Sequence, residues 1–275
     1  MALPKPTLQA RPSAGLSFLT DESLFAATGV RLGFSRRQGG VSEPPYDGLN
    51  LGDHVEDDPM AVAENRALLL DAVGLGSTRL LTLNQVHGDV VLALDDDAAA
   101  SWEEVTRAGA AGADGVAVAA PDVTALLCFA DCTPVIVVSP SGAYAVAHAG
   151  WRGALAGIPA KAVAALAALD VRAGRAVDPS EYNAYVGPHI GAECYECGPD
   201  LVGRFVERFG ASCARSADHL DLEAAVRASL AEAGIAPERI ASSGECTACR
   251  DDLYFSYRKS GGRCGRHSAF AGRKE

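Results

Sequence analysis

The chain has 275 residues, of which 48% are apolar and 21% charged, a balance that excludes a mostly disordered protein and allows a large core without disulfides. Its 24 basic residues against 35 acidic ones leave a formal charge of −11. That excludes a broad electrostatic footprint for nucleic acid or an anionic membrane, but not a small anionic substrate held by an arginine or two.

Residues 1–15 carry prolines, no apolar period and no leader-like run, and predict a flexible N-terminal arm. Val30 to Ser35 predicts a strand that enters a Gly/Pro-rich loop, RRQGGVSEPPYDGLNLGDH. Asp58 and Pro59 supply an N-cap and a first-turn proline for a helix to about Val73. Strands are expected over Leu80 to Val86 and Val90 to Leu94, on either side of the turn His87-Gly88-Asp89. Val116 to Ala119, Val123 to Ala130 and Val135 to Ser139 are apolar strands, and Pro140-Ser141-Gly142 turns the chain into a further one ending at His148. Gly153 to Leu169 is helical, with Pro159 kinking the helix or delaying its start. A strand at Tyr182 to Gly187 precedes helices near Pro199 to Phe209 and Leu222 to Ala233, the latter with Leu222, Val226 and Leu230 on one face. The tail from Cys246 shows no clear period. Asp122 and Asp131 interrupt the longest apolar stretch, so no membrane span is expected. Without an internal repeat or a dividing linker, residues 16–275 read as one α/β catalytic domain.

Three segments place a metal-capable side chain at a strand end: Asn84-Gln85-Val86-His87-Gly88, Phe129-Ala130-Asp131-Cys132-Thr133-Pro134 and Ala147-His148-Ala149-Gly150-Trp151-Arg152-Gly153. Two imidazoles and a thiolate suit Zn²⁺ and leave a fourth position open, the ligand count of a catalytic site. Taken alone, the same residues more often mean two satisfied core histidines and a buried thiol. Cys132 with His148 also makes a nucleophilic dyad for amide hydrolysis, unless a metal occupies the thiolate. The pairs Cys194/Cys197 and Cys246/Cys249 each have ligand spacing for a four-cysteine zinc site, but they lie far apart and lack glycine knuckles, which argues against one. With eight cysteines sparse for this length, a reducing cytoplasm is expected.

The segments QVHG, ADCTPV and AHAGWRG resemble the YfiH family, also called laccase-domain or multicopper polyphenol oxidase-like proteins. The resemblance extends to Ser35–His54 with Asn65-Arg66, to Val186–Gly191 with Cys194-Tyr195-Glu196, and to Cys246–Cys249, Phe255–Arg258 and Gly265-Arg266. It covers Leu32 to Arg266. It implies one zinc bound by His87, Cys132 and His148, and a layered α/β/β/α sandwich (α+β) akin to the cysteine hydrolases of the cytotoxic necrotizing factor type. It also implies purine nucleoside phosphorylase activity, on methylthioadenosine among others, and adenosine deamination. Peptidoglycan editing and copper-dependent laccase activity are attached to the family as well. Six histidines are too few for a multicopper centre, although Cu²⁺ shares the zinc ligands.

On this reading the partners are a purine nucleoside and phosphate, with no nucleic acid or membrane. Arg66 holds the phosphate by its family position, with Arg152 and Arg258 in reserve, although a lone arginine more often makes a surface ion pair. Asp131, or Glu245, protonates the leaving purine, and Asp131 equally fits a carboxylate that orients a ligand histidine. Asn50 and Gln85 are expected to face substrate, and Tyr46 and Phe255 can stack on a purine. The rival class is a non-catalytic metal-binding or sensing module.

Overall fold

The structure, a computed structural model, describes residues 2–275, without the side chains of residues 98–100. In chain order the strands are β1 (Gln9–Ser13), β2 (Leu16–Thr20), β3 (Val30–Ser35), β4 (Arg79–Leu81), β5 (Val91–Leu94), β6 (Gly115–Val118), β7 (Val123–Phe129), β8 (Thr133–Val138), β9 (Tyr144–Ala149), β10 (Asn183–Val186), β11 (Ile240–Ser242) and β12 (His267–Arg273). The α-helices are α1 (Glu22–Thr28), α2 (Pro59–Ala72), α3 (Ala98–Ala111), α4 (Trp151–Leu155), α5 (Ile158–Arg172), α6 (Pro199–Phe209) and α7 (Leu222–Glu232).

The strands form two six-stranded mixed sheets, ordered β1-β2-β3-β12-β7-β4 and β11-β10-β8-β9-β6-β5. Every residue of β7, β8 and β9 is buried, because these strands pack on the other sheet through one face and on helices or loops through the other. Phe34, Leu127, Val118, Ile136 and Tyr144 fill the space between the sheets. Val163, Leu166, Val226 and Leu230 lay α5 and α7 over the second sheet, and Leu69 and Leu70 of α2 meet Phe18, Leu126 and Phe270 on the outer face of the first. The expected α/β/β/α layering is therefore present. Among the described residues no helix is long and apolar enough to cross a membrane.

The arm expected to be flexible is docked. Gln9–Ser13 pairs antiparallel with β2 through a turn in which Ala14 and Gly15 have φ of 51° and 81°. Leu3 is buried, and its carbonyl accepts from Arg239 at 2.8 Å. Main-chain pairing needs no apolar period, so composition concealed it. The strand expected over Leu80 to Val86 stops at Leu81, after which the chain bends inward toward Asp114. The single helix expected over Gly153 to Leu169 is instead broken in two: Gly157, at φ 77°, separates α4 from α5, and Pro159 lies in the first turn of α5. The tail read as aperiodic carries β12, which lies between β3 and β7 at the centre of its sheet.

Candidate active site

Asp114, in the turn before β6, is fully buried. It accepts hydrogen bonds from the successive amides of Val86, His87 and Gly88 at 3.2, 2.9 and 2.7 Å. This cradle holds the chain after β4 in a turn where His87 has φ 60°. His148 is the penultimate residue of β9, and its Nδ1 meets Asp114 Oδ1 at 2.7 Å, which leaves Nε2 for the centre. Cys132 sits in the β7–β8 turn, and the pairing of Thr133 with Ala149 brings it beside Gly150. The ligand atoms of His87, Cys132 and His148 all lie within 4.8 Å of one another. A Cβ on Gly150 would stand 3.1 Å from both Cys132 Sγ and His87 Cδ2, so glycine at this position keeps the centre open.

Burial opposes a charge on the Cys132 thiol, yet the charge and hydrogen bond of His148, helped by His87, bring it down to about 6. Burial likewise opposes protonation of His148, but the Cys132 thiolate and the Asp114 carboxylate push it up to about 9. Asp114 is held below the usual carboxylate range because His148 and the amides outweigh its desolvation. A thiolate beside two imidazoles, one fixed by a carboxylate, fits a three-ligand metal centre with an open position.

His87, Cys132 and His148 line a cavity of about 440 Å³, within the range of small-molecule sites. Trp151, Tyr195 and Tyr257 bring aromatic surface to its walls, and Arg152, Arg258 and Arg266 bring positive charge. Residues 31–274 match the family model described as multi-copper polyphenol oxidoreductase laccase. The chain belongs to that family. Within it, the chain is 37% identical over 249 residues to a purine nucleoside phosphorylase of Deinococcus radiodurans, covering 87% of each chain. It is 33% identical over 256 residues to the purine nucleoside phosphorylase YlmD of Geobacillus stearothermophilus, covering 90% of this chain and 91% of the relative. The crystal structure of that YlmD superposes with a TM-score of 0.82 at 30% identity over 100% of both chains. The Bacillus licheniformis protein YfiH gives the same TM-score and identity over 96% of this chain and 99% of its own.

The family's triad positions converge here, and of the other expected residues Arg152, Arg258, Gln85 and Asp131 line the cavity, whereas Asn50, Arg66, Tyr46, Phe255 and Glu245 do not. Asn50 is fully buried: its Nδ2 donates to Asp57 at 2.7 Å, and its Oδ1 accepts from Arg266 N at 2.8 Å, so it organises the glycine loop. Gln85 borders the cavity, but its amide clamps both the N–H and the carbonyl of Cys128 at 2.8 Å. Arg66 lies behind the cavity wall, pairing with Asp53 at 3.1 Å and donating to the Leu51 carbonyl at 3.0 Å. Asp131, at φ 93°, accepts from Thr247 Oγ1 at 2.6 Å and Arg258 N at 2.7 Å, and so ties the C-terminal segment to the site. The carboxylate that orients a ligand histidine is Asp114 instead. Tyr46 and Phe255 are core residues, and Glu245 lies outside the cavity, bonded to Tyr254 and Arg36. Sequence reasoning missed Asp114 and left Arg266 and Tyr257 without a role. Both of the latter belong to C-terminal segments already singled out, whereas Ala113-Asp114-Gly115 carries no local signal beyond a turn before a strand.

Proposed function

We propose that this chain is a purine nucleoside phosphorylase that cleaves adenosine, inosine or methylthioadenosine with phosphate, releasing free base and a sugar 1-phosphate. One observation carries the reading: a single cavity joins the His87, Cys132 and His148 centre to Arg152, Arg258 and Arg266 and to the rings of Trp151, Tyr195 and Tyr257. Relatives named purine nucleoside phosphorylase support it. Zn²⁺ held by His87, Cys132 and His148 would supply Lewis acidity within the cavity, the property that adenosine deamination also requires, and Cu²⁺ shares these ligands. Arg152, which stacks over Trp151, has its guanidinium directed by a ring rather than by a carboxylate, and is our first choice for phosphate. Arg258 and Arg266 donate to the carbonyls of Glu196 and Cys264 at 2.8 and 2.7 Å, so they are braced and bring charge from fixed positions. Arg66 acts through Asp53 and the loop. Tyr195 and Tyr257 supply faces on which a purine stacks. A reducing, cytoplasmic setting, expected from the sparse cysteines of the sequence, belongs to the same proposal.

The hydrogen-bonded run Asp114, His148, Cys132 favours a second reading, an amide hydrolase acting on a cell-wall precursor peptide, since it aligns orienter, base and nucleophile. Phosphate separates the two. With inosine, the wild type releases hypoxanthine only when phosphate is present, and Cys132→Ala lowers the rate by at least about 100-fold. A zinc-loaded wild type that releases no base from inosine, adenosine or methylthioadenosine overturns the first reading. Cleavage of an alanyl or seryl amide without phosphate selects the second.

A further inference from the structure

A second group of ligating atoms lies outside the proposed active centre. The carboxylate of Glu193 and the sulfurs of Cys194, Cys246 and Cys249 are all within 4.8 Å of one another. Backbone pairing brings the two segments together. Strands β10 and β11 run parallel up to Val186 and Ser242, and the pairing resumes as a bridge between His189 and Cys246. His189 N donates to the Glu245 carbonyl at 3.3 Å, and Thr247 N to the His189 carbonyl at 2.9 Å. Beyond this clamp, the Gly191 amide donates to Cys246 Sγ at 3.1 Å, and Arg250 N closes a turn onto the Cys246 carbonyl at 2.9 Å that returns Cys249 to the cluster. Cys194 Sγ and Cys249 Sγ stand 3.4 Å apart. A tetrahedral zinc with Zn–S bonds of about 2.3 Å needs ligand–ligand edges of about 3.8 Å, so small shifts admit the ion.

We propose that Glu193, Cys194, Cys246 and Cys249 form a second, structural metal site for a thiophilic divalent cation, Zn²⁺ foremost. The donors choose the metal: three thiolates are too soft for Mg²⁺ or Ca²⁺, and four protein ligands leave no open position for substrate. Binding exchanges thiol protons, released to solvent, for the cation, and nothing is oxidised. Glu193 and Cys249 are exposed, which gives the ion an entry path. Cys197, the fourth cysteine expected from the paired spacing, is directed elsewhere by its amide bond to the Asp218 carbonyl at 2.9 Å, and Glu193 takes its corner. The clip has a use in the molecule. Tyr195 follows Cys194 onto the cavity wall, and Arg258 donates to the carbonyls of Cys194 and Glu196 at 3.3 and 2.8 Å, so the metal fixes two wall residues from behind.

The test is metal content of the full chain, purified reduced and without chelator, in a Cys132→Ala background that disables the first centre. One equivalent of zinc per chain is expected to remain, and Co²⁺ reconstitution should give strong thiolate charge-transfer absorption. Adding Cys249→Ser should abolish both, and Glu193→Gln should weaken Zn²⁺ at least about 10-fold in competition with a chromophoric chelator. Cys132→Ala chains that hold no zinc, or hold it equally well after Cys249→Ser, would overturn the site. So would a non-reduced intact mass lighter by two hydrogens, with Cys194 and Cys249 in one linked peptide.

Discussion

Asp114 accepts from three successive amides and from His148 Nδ1, so one buried carboxylate sets both the turn that presents His87 and the tautomer of His148. Asp114→Asn replaces one acceptor oxygen by a donor facing these N–H groups. Zinc affinity of the His87, Cys132 and His148 set should fall about 10–100-fold, measured by chelator competition. Stability should fall by about 1–3 kcal/mol, measured in urea. Affinity at the wild-type level would remove Asp114 from the centre. The three candidate ligands were legible because each stands in a short segment with a recognisable neighbourhood. Asp114 was not, since its importance arises from four donors that come from two separate segments. Arg66 and Asn50 were placed by family position alone, and the fold spends their polar atoms on Asp53, Leu51 and the loop backbone.

At the scale of elements, apolar runs and turn chemistry foretold β3, β7, β8, β9, α2, α6 and α7 closely. Two of the missed elements, β12 and β1, are held by their neighbours rather than by a pattern of their own. β12 (HSAFAGR) is built mainly from small residues, and it is buried because two strands flank it rather than because its own pattern is apolar. Its Phe270 needs Gly33 opposite, where a Cβ would lie 2.6 Å from the ring. β1 is held by main-chain bonds to β2, and the residues before it are held by Arg239 and Asn183, which donate to the Leu3 and Pro4 carbonyls at 2.8 and 2.9 Å. Removing residues 2–14 should therefore cost on the order of 2–4 kcal/mol in urea unfolding, from lost hydrogen bonds and the exposure of Leu3 and β2. An unchanged midpoint would return this segment to the flexible arm that its composition suggested.

Across the whole molecule, the two sheets are tied by polar contacts as well as by the core between them. Asp21, after β2 of one sheet, accepts from Tyr185 OH of the other at 2.8 Å, from Thr7 N at 2.9 Å, and from Ser23 Oγ and Leu24 N at 2.6 and 3.0 Å. Burial opposes its charge, but these bonds hold its carboxyl below the ordinary value of 3.8. The unfolded chain then binds the proton more readily than the folded one. The stability contributed by Asp21 is fully present above that ordinary value and is lost as pH falls through the lower folded-state one. Urea midpoints of wild type and Asp21→Asn should differ at neutral pH and converge below about pH 4. A gap that stays constant down to pH 2 would contradict this linkage. The layered architecture was legible from the family resemblance, whereas contacts such as Asp21 to Tyr185 join residues far apart in sequence and leave no local trace.

On the proposed function, phosphate rather than water attacks the nucleoside in the cavity lined by His87, Cys132 and His148. The most direct test incubates the zinc-loaded chain with inosine and isotopically labelled phosphate and identifies the sugar product. Ribose 1-phosphate carrying the label, formed mole for mole with hypoxanthine, is the predicted result. Free ribose without label, or no base released, would contradict it.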